Sequence, residues 1–322
     1  MHVNDFPPEI LIHVFQQATG GSSLTIFISQ VCRAWRGIAL DSPLLWNDLR
    51  ISSGSSLYKL DQLFARSRGL IVSVTVDCRA PATPLAHNWK LLKGVVAHRA
   101  RIGALDFVAP QHVLSMLSRV VIGNQFPHLQ RLHVVQAAAP RVRPEDEIVW
   151  RVPLWKMTFD SPHLRSLSID AVIPTNHERF RFLRELRIKE SGYFMHEIPV
   201  DHLLGLQTLS IAASPLPSLT GFPADSQLAS FTLSDLRTID NPRGTLTRLL
   251  ETVRMPALQH LVVDGLSGYL WNELVRWLAD AEYPALRSVA LEAVQLSDMG
   301  KQHLHAFATV SALRLSRQFG DK

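Results

Sequence analysis

The stretches FPHLQRLHV (126–134), SPHLRSLSI (161–169), MPALQHLVV (255–263) and YPALRSVAL (283–291) are four versions of one phrase. Each has an apolar residue, two others, a second apolar residue and, two positions on, a third. The residues are Leu129, Leu132, Val134; Leu164, Leu167, Ile169; Leu258, Leu261, Val263; and Leu286, Val289, Leu291. The same spacing recurs at Leu183, Leu206, Leu228 and Val310, with weaker copies starting at Ile71 and Ile102. Apolar residues at every second position predict short strands that bury one side and turn the other outward.

From Ile102 onward the starts are separated by 27, 35, 19, 23, 22, 30, 28 and 24 residues. Spacings centred on 20–29 with this phrase resemble leucine-rich repeats. The spacers 85–98, 111–121, 243–254, 268–282 and 298–308 read as short amphipathic helices. Alternating strand and helix implies parallel strands, which need a crossover between them. Family members usually carry Asn or Cys five residues after the second Leu. The equivalent residues here are Ala137, Val172, Ser191, Ser214, Leu236, Leu266 and Val294. An irregular solenoid of uneven curvature is therefore expected, with the Pro-, Arg- and Glu-rich stretch 138–158 as a loop or insertion.

The chain before the repeats is different in kind. Over residues 5 to 46 apolar side chains fall at helical spacing. Pro7 and Pro8 open a first helix, and Gly20 and Gly21 end it. A second helix, capped by Ser22 or Ser23, is expected to run from Leu24 to Ala39, closed by Ser42 and Pro43. Such a short helical stretch rarely buries enough surface to stand alone. It either packs on the rest of the chain or offers an apolar surface to a partner.

The strings FPPEILIHVFQQA and LTIFISQVCRAWRGIALDSPLLW resemble the F-box. The matching positions are Pro7, Glu9, Ile10, Leu11, Val14, Phe15, Leu24, Val31, Cys32, Arg33, Trp35, Pro43, Leu45 and Trp46, with Phe6 where the motif usually opens on Leu. The resemblance implies docking onto the Skp-type adaptor of a cullin-RING ubiquitin ligase, and through it onto a cullin, with the remainder of the chain choosing a protein target. The adaptor contacts expected are Pro8, Ile10, Leu11, Val14, Phe15 and Val31, with Trp35 and Trp46 holding the F-box core. The expected fold class is α/β: a helical F-box over residues 1–50, then a leucine-rich-repeat-like solenoid over 51–322. If the Leu positions point inward, Arg187, Lys189, Asp264 and Glu292 stand on the strands' outward, concave face and are the expected target contacts.

Composition narrows the function classes. Apolar residues make up 47% and charged ones 19%, against about 25% charged in an average chain. That balance argues against a disordered protein. No run approaches a membrane-spanning length of about 18 apolar residues. The first thirty residues show no basic segment followed by an apolar one, so no secretory leader is expected. Two cysteines, Cys32 and Cys78, form neither a disulfide framework nor a zinc site, which suits a reducing compartment, cytoplasmic or nuclear. The 33 basic and 28 acidic residues are read as scattered, and the densest basic stretch, Arg179 to Lys189, has Glu178, Glu185 and Glu190 among it. A nucleic-acid footprint would segregate them, so no nucleic-acid partner is expected. His303 and His305, two apart in an expected helix, do not share a face. Neither a metal-ligand motif nor a nucleophile elbow is present. No catalytic residue, metal or cofactor is assigned, and the chain is expected to bind rather than to catalyse.

Overall fold

Valines at alternate positions in VSVTVD (72–77) leave a strand little choice: Val72, Val74 and Val76 are buried, and Ser73, Thr75 and Asp77 between them are half-buried. The same rule holds at 48–52, 131–136, 230–234 and 260–264, while the strand at 102–109 breaks it once, where Gly103 and Ala104 stand between buried Ile102 and Leu105. A computed structural model of the chain describes residues 6–18, 21–80, 83–121, 124–137, 161–170, 182–191, 197–199, 203–214, 218–220, 226–234, 255–264, 274, 277–278, 283, 285–292 and 312–316. The chain divides into two compact units, Met1–His163 and Leu164–Lys322.

The first unit opens with three helices, α1 (Pro8–Gln17), α2 (Gly21–Val31) and α3 (Arg33–Asp41), and a 3-10 turn, Pro43–Trp46. Strand and helix then alternate: β1 (Asp48–Ser52), α4 (Leu57–Arg66), β2 (Val72–Asp77), α5 (Leu85–Ala97), β3 (Ile102–Ala109), α6 (Gln111–Val121) and β4 (Arg131–Gln136). The four strands pair in order and in parallel. Helices α5 and α6 coincide with the first two spacers read from the sequence. The strand β1 and the helix α4 fall in a stretch that the repeat pattern leaves unread. Ser56 caps α4 by accepting from the Lys59 amide at 3.1 Å. At its other end Arg101 donates to the carbonyls of Phe64 (2.9 Å) and Leu70 (3.2 Å) and to the Ser67 hydroxyl. Burial holds that guanidinium below its usual pKa.

The second unit contains β5 (Ser166–Asp170), β6 (Glu185–Ser191), β8 (Thr208–Ser214), β10 (Ser230–Ser234), β11 (His260–Asp264), β12 (Ser288–Glu292) and β13 (Ala312–Ser316), again paired in parallel in that order. A separate parallel pair joins β7 (Glu197–Pro199) to β9 (Ser218–Thr220). Leu167, Leu186, Leu209, Phe231, Leu261 and Val289 occupy one register position and are all buried. The spacers 243–254 and 298–308 and the stretch 138–158 lie outside the described residues, as does most of 268–282.

The entrance to these strands is stacked by main chain alone. The Arg165 carbonyl accepts from the amides of both Arg184 and Glu185, and the Arg184 carbonyl from those of Gln207 and Thr208. The pattern continues through Gln207, Ala229 and Gln259, every bond between 2.8 and 3.0 Å. No asparagine is needed for it. One side chain assists in the first unit, where the buried Ser161 hydroxyl donates to the carbonyls of Leu129 (2.9 Å) and Phe126 (3.2 Å).

Two further departures from the sequence reading have local causes. The single helix expected over 24–39 is broken at Cys32, which is extended (φ −155°, ψ 173°) and caps α3 by accepting from the Trp35 amide at 3.5 Å. Ser22 does not cap α2 by standing outside it. It is buried in the first turn, and its hydroxyl accepts from the Arg50 amide at 2.8 Å, tying the helix to β1. Gly21 makes that approach possible: its φ is +57°, and a Cβ there would stand 2.9 Å from the Asp48 carbonyl oxygen. A left-handed conformation costs a non-glycine residue about 1–2 kcal/mol, and the crowding against Asp48 adds to it. Gly21→Ala is expected to lower the unfolding free energy by at least that much, read by urea denaturation.

Cys78 follows β2, is 1% exposed and donates its amide to the Val108 carbonyl at 2.8 Å. Burial, with a smaller contribution from Asp77, pushes its thiol pKa up to about 12. The thiolate is the reactive form, so at pH 8 the folded protein should leave Cys78 unlabelled by iodoacetamide. Mass spectrometry should find it alkylated only after denaturant is added.

Candidate interaction surfaces

An ordinary surface helix turns its apolar residues inward. Helix α2 departs from this in part. Its buried residues are Ser22, Thr25 and Ile28, while Phe27 and Val31, one turn apart, are 66% and 62% exposed. The inward hydroxyls are satisfied, because the Thr25 hydroxyl donates to the Leu45 carbonyl at 2.8 Å and Ser22 receives the Arg50 amide. Helix α1 has two apolar pairs at the same spacing. Leu11 and Phe15 face in, and Ile10 and Val14, about 100° around the helix, face out.

The expected adaptor contacts differ in exposure. Leu11 and Phe15 are only 4% and 6% exposed. The Phe15 ring packs tilted on Trp35, centroids 4.8 Å apart, so Phe15 joins α1 to α3. Pro8, Ile10, Val14 and Val31 are all exposed. Phe27, Leu40 and Leu44 are exposed as well, and none of these three is among the expected adaptor contacts. The signal for Phe27 was the Ser22–Thr25–Ile28 spacing, which marks the inward side of α2. Trp35 is half-buried. Trp46 is fully buried, donates from Nε1 to the Ala39 carbonyl at 2.6 Å, and carries the Arg66 guanidinium over its ring at 4.6 Å.

The second candidate is the polar side of the strands. In the second unit, Arg187 and Lys189 on β6 are exposed and Asp264 on β11 is half-buried, each outward of a buried neighbour. Asp264 is in register with Glu292 on β12; the Glu292 side chain lies outside what is described. Arg187 is not a free cation, since Nε and Nη2 bond Glu185 Oε1 at 2.7 and 2.6 Å. The other Glu185 oxygen accepts from the Ser166 hydroxyl at 2.8 Å. Between β6 and β11 the outward positions are small, Thr208, Ser210 and Ala212 on β8 and Ser230, Thr232 and Ser234 on β10. His260 Nδ1 meets the Ser288 hydroxyl at 2.7 Å. In the first unit Asp106 on β3 stands between Arg131 (3.9 Å) and His133 (3.6 Å) of β4.

Among the described residues no group of three or more His, Cys, Asp or Glu side chains is placed to hold a metal, and no helix is long and apolar enough to cross a membrane. His303 and His305 lie outside those residues.

Comparison with known proteins finds one named region. A chain of the crystal structure of the Rad7 and Elc1 complex in yeast aligns over 92% of this chain and 87% of its own length, at 15% identity and a TM-score of 0.30. No curated protein matches the sequence. The family model described as F-box-like matches residues 3–52, the interval that holds α1 to α3, the turn that buries Trp46 and the strand β1. The N-terminal part of this chain is an F-box-like domain.

Proposed function

We propose that the chain is the substrate-recognition subunit of a Skp-cullin-F-box type E3 ubiquitin ligase. The observation that carries this reading is an F-box-like domain whose helices leave apolar pairs open, Ile10 with Val14 and Phe27 with Val31. Exposed apolar residues at i and i+4 suit a helix-in-groove interface, where a few large anchors supply most of the affinity. The F-box binds a Skp-type adaptor, the adaptor brings a cullin, and the strands present the target. The chain contributes position and no bond-making chemistry. Holding the target beside a ubiquitin-loaded partner raises its effective concentration.

Co-expression with a Skp-type adaptor and a cullin tests the reading. The full chain should recover both in an affinity pulldown. Ile10→Asp with Val14→Asp should reduce adaptor recovery at least tenfold while leaving the thermal melt unchanged, because both side chains are exposed. Recovery of the adaptor without the cullin would favour an interaction scaffold not coupled to ubiquitin transfer, and recovery of neither would overturn the proposal.

The target is taken by the outward face of the strands, with Arg187, Lys189, Asp264 and Glu292 as the contacts. Since Glu185 already holds Arg187, that side chain presents an oriented, partly neutralised group. Arg187→Glu places a second carboxylate beside Glu185 and should abolish capture of the target while leaving adaptor binding intact. Quantitative mass spectrometry of proteins retained by each form reads both effects, and an unchanged set of retained proteins would remove Arg187 from the contact surface.

A further inference from the structure

Register sorts the outward residues of the second unit into rows that cross its strands. Glu185, Thr208, Ser230, His260 and Ser288 share one row, and Arg187, Ser210, Thr232, Val262 and Ala290 the next. In a third row Lys189 is in register with Ala212, Ala212 with Ser234, and Asp264 with Glu292. Ser234 and Asp264 each follow a matched pair, Leu233 and Val263, so the row runs on from β10 to β11.

The charges of the first two rows are engaged within the chain. Arg187 and the Ser166 hydroxyl hold Glu185, and His260 meets Ser288. The third row is different. Lys189 is exposed and Asp264 half-buried, and neither makes an ion pair among the described residues. Three strand steps separate them, about 14 Å at the usual strand spacing, too far for either to neutralise the other.

Their neighbours in the row sharpen the contrast. Asp170 is in register with Lys189, and Glu292 with Asp264. From β5 to β12 the row therefore carries its one cation at Lys189 and two adjoining acids on β11 and β12. Like charges directly opposite one another on paired strands are unfavourable, and a cation brought to Asp264 relieves that repulsion. Between the charged positions stand only Ala212 and Ser234, whose short side chains let another main chain pass over them.

The spacing selects the shape of what lies there. Along an extended chain, residues i and i+4 point the same way and are about 13 Å apart. Along an α-helix about 13 Å takes nine residues, and nine steps of about 100° turn the second side chain to the opposite side. A nucleic-acid backbone offers negative charge alone and leaves Asp264 opposed.

We infer that this row binds an extended polypeptide segment with an acidic and a basic side chain four residues apart, the acid meeting Lys189 and the base Asp264. The inference rests on the receptor role proposed above and names the chemistry of the target segment.

The test uses the full chain and fluorescence anisotropy at 50 mM salt. The probes are labelled nine-residue peptides of Ser, Thr and Ala with Asp and Lys at the third and seventh positions, in both orders. Comparison peptides carry Gln at both positions, Lys at both, Asp at both, or Asp and Lys only two residues apart. The better mixed peptide should bind at least fivefold more tightly than the Gln peptide and the closely spaced one. Lys189→Glu should weaken it at least fivefold and favour the Lys–Lys peptide by a similar factor. Asp264→Lys should turn the preference to the Asp–Asp peptide, and such switches are gains that a misfolded variant would not show. No binding of either mixed peptide up to millimolar concentration, indifference to spacing, or indifference to both variants would overturn the inference. If Arg187→Glu still abolishes target capture while the peptides show no charge preference, the inference falls and the receptor role stands. Failure to recover adaptor and cullin would instead remove the receptor role, whatever the peptides show.

Discussion

In the second unit one carbonyl at the entrance of each of β5, β6, β8, β10 and β11 takes two successive amides from the next strand, and this main-chain stack sets the register on which everything else rests. It places Leu167, Leu186, Leu209, Phe231, Leu261 and Val289 side by side, so the core forms as a continuous apolar row. It also fixes the opposite side. A one-residue slip would turn every buried residue outward, so the alignment of Lys189 with Ala212 and of Asp264 with Glu292 follows from bonds that involve none of their side chains.

What could be read from the sequence follows the same division. Strand positions were legible because period-two burial leaves a mark in the residues themselves, as in Leu258, Leu261 and Val263. The carbonyl stack at the strand entrances was not legible, because main-chain bonds have no side-chain signature. The break at Cys32 escaped notice because apolar spacing continues across it from Val31 to Trp35, while the interruption is a backbone cap made by a sulfur. Periodicity identified the apolar stripes of α1 without saying which faced inward; the answer depended on Trp35 lying against Phe15. In α2 the ordinary rule holds at Ile28 and fails beside it, since Ser22 and Thr25 point in and Phe27 points out.

That inversion has an energetic meaning. Burying a hydroxyl without a partner is costly, and exposing Phe27 forgoes the gain from burying it. The first cost is met inside the chain by the Leu45 carbonyl and the Arg50 amide. The second is not met within the described residues, and an adaptor would meet it.

The strand β1 belongs to two things at once. It ends the F-box-like interval at residue 52 and is the first strand of the parallel sheet, bonded to β2 through Asp48–Ser52 and to α2 through the Ser22 hydroxyl. The hook is therefore not a detachable module. A cut at residue 50 severs β1 in its middle and strips a partner from β2, whose unsatisfied amides and carbonyls would then template pairing with other chains. Grafting this hook onto a foreign receptor would therefore require a joint that leaves β1 whole and gives it a parallel partner strand.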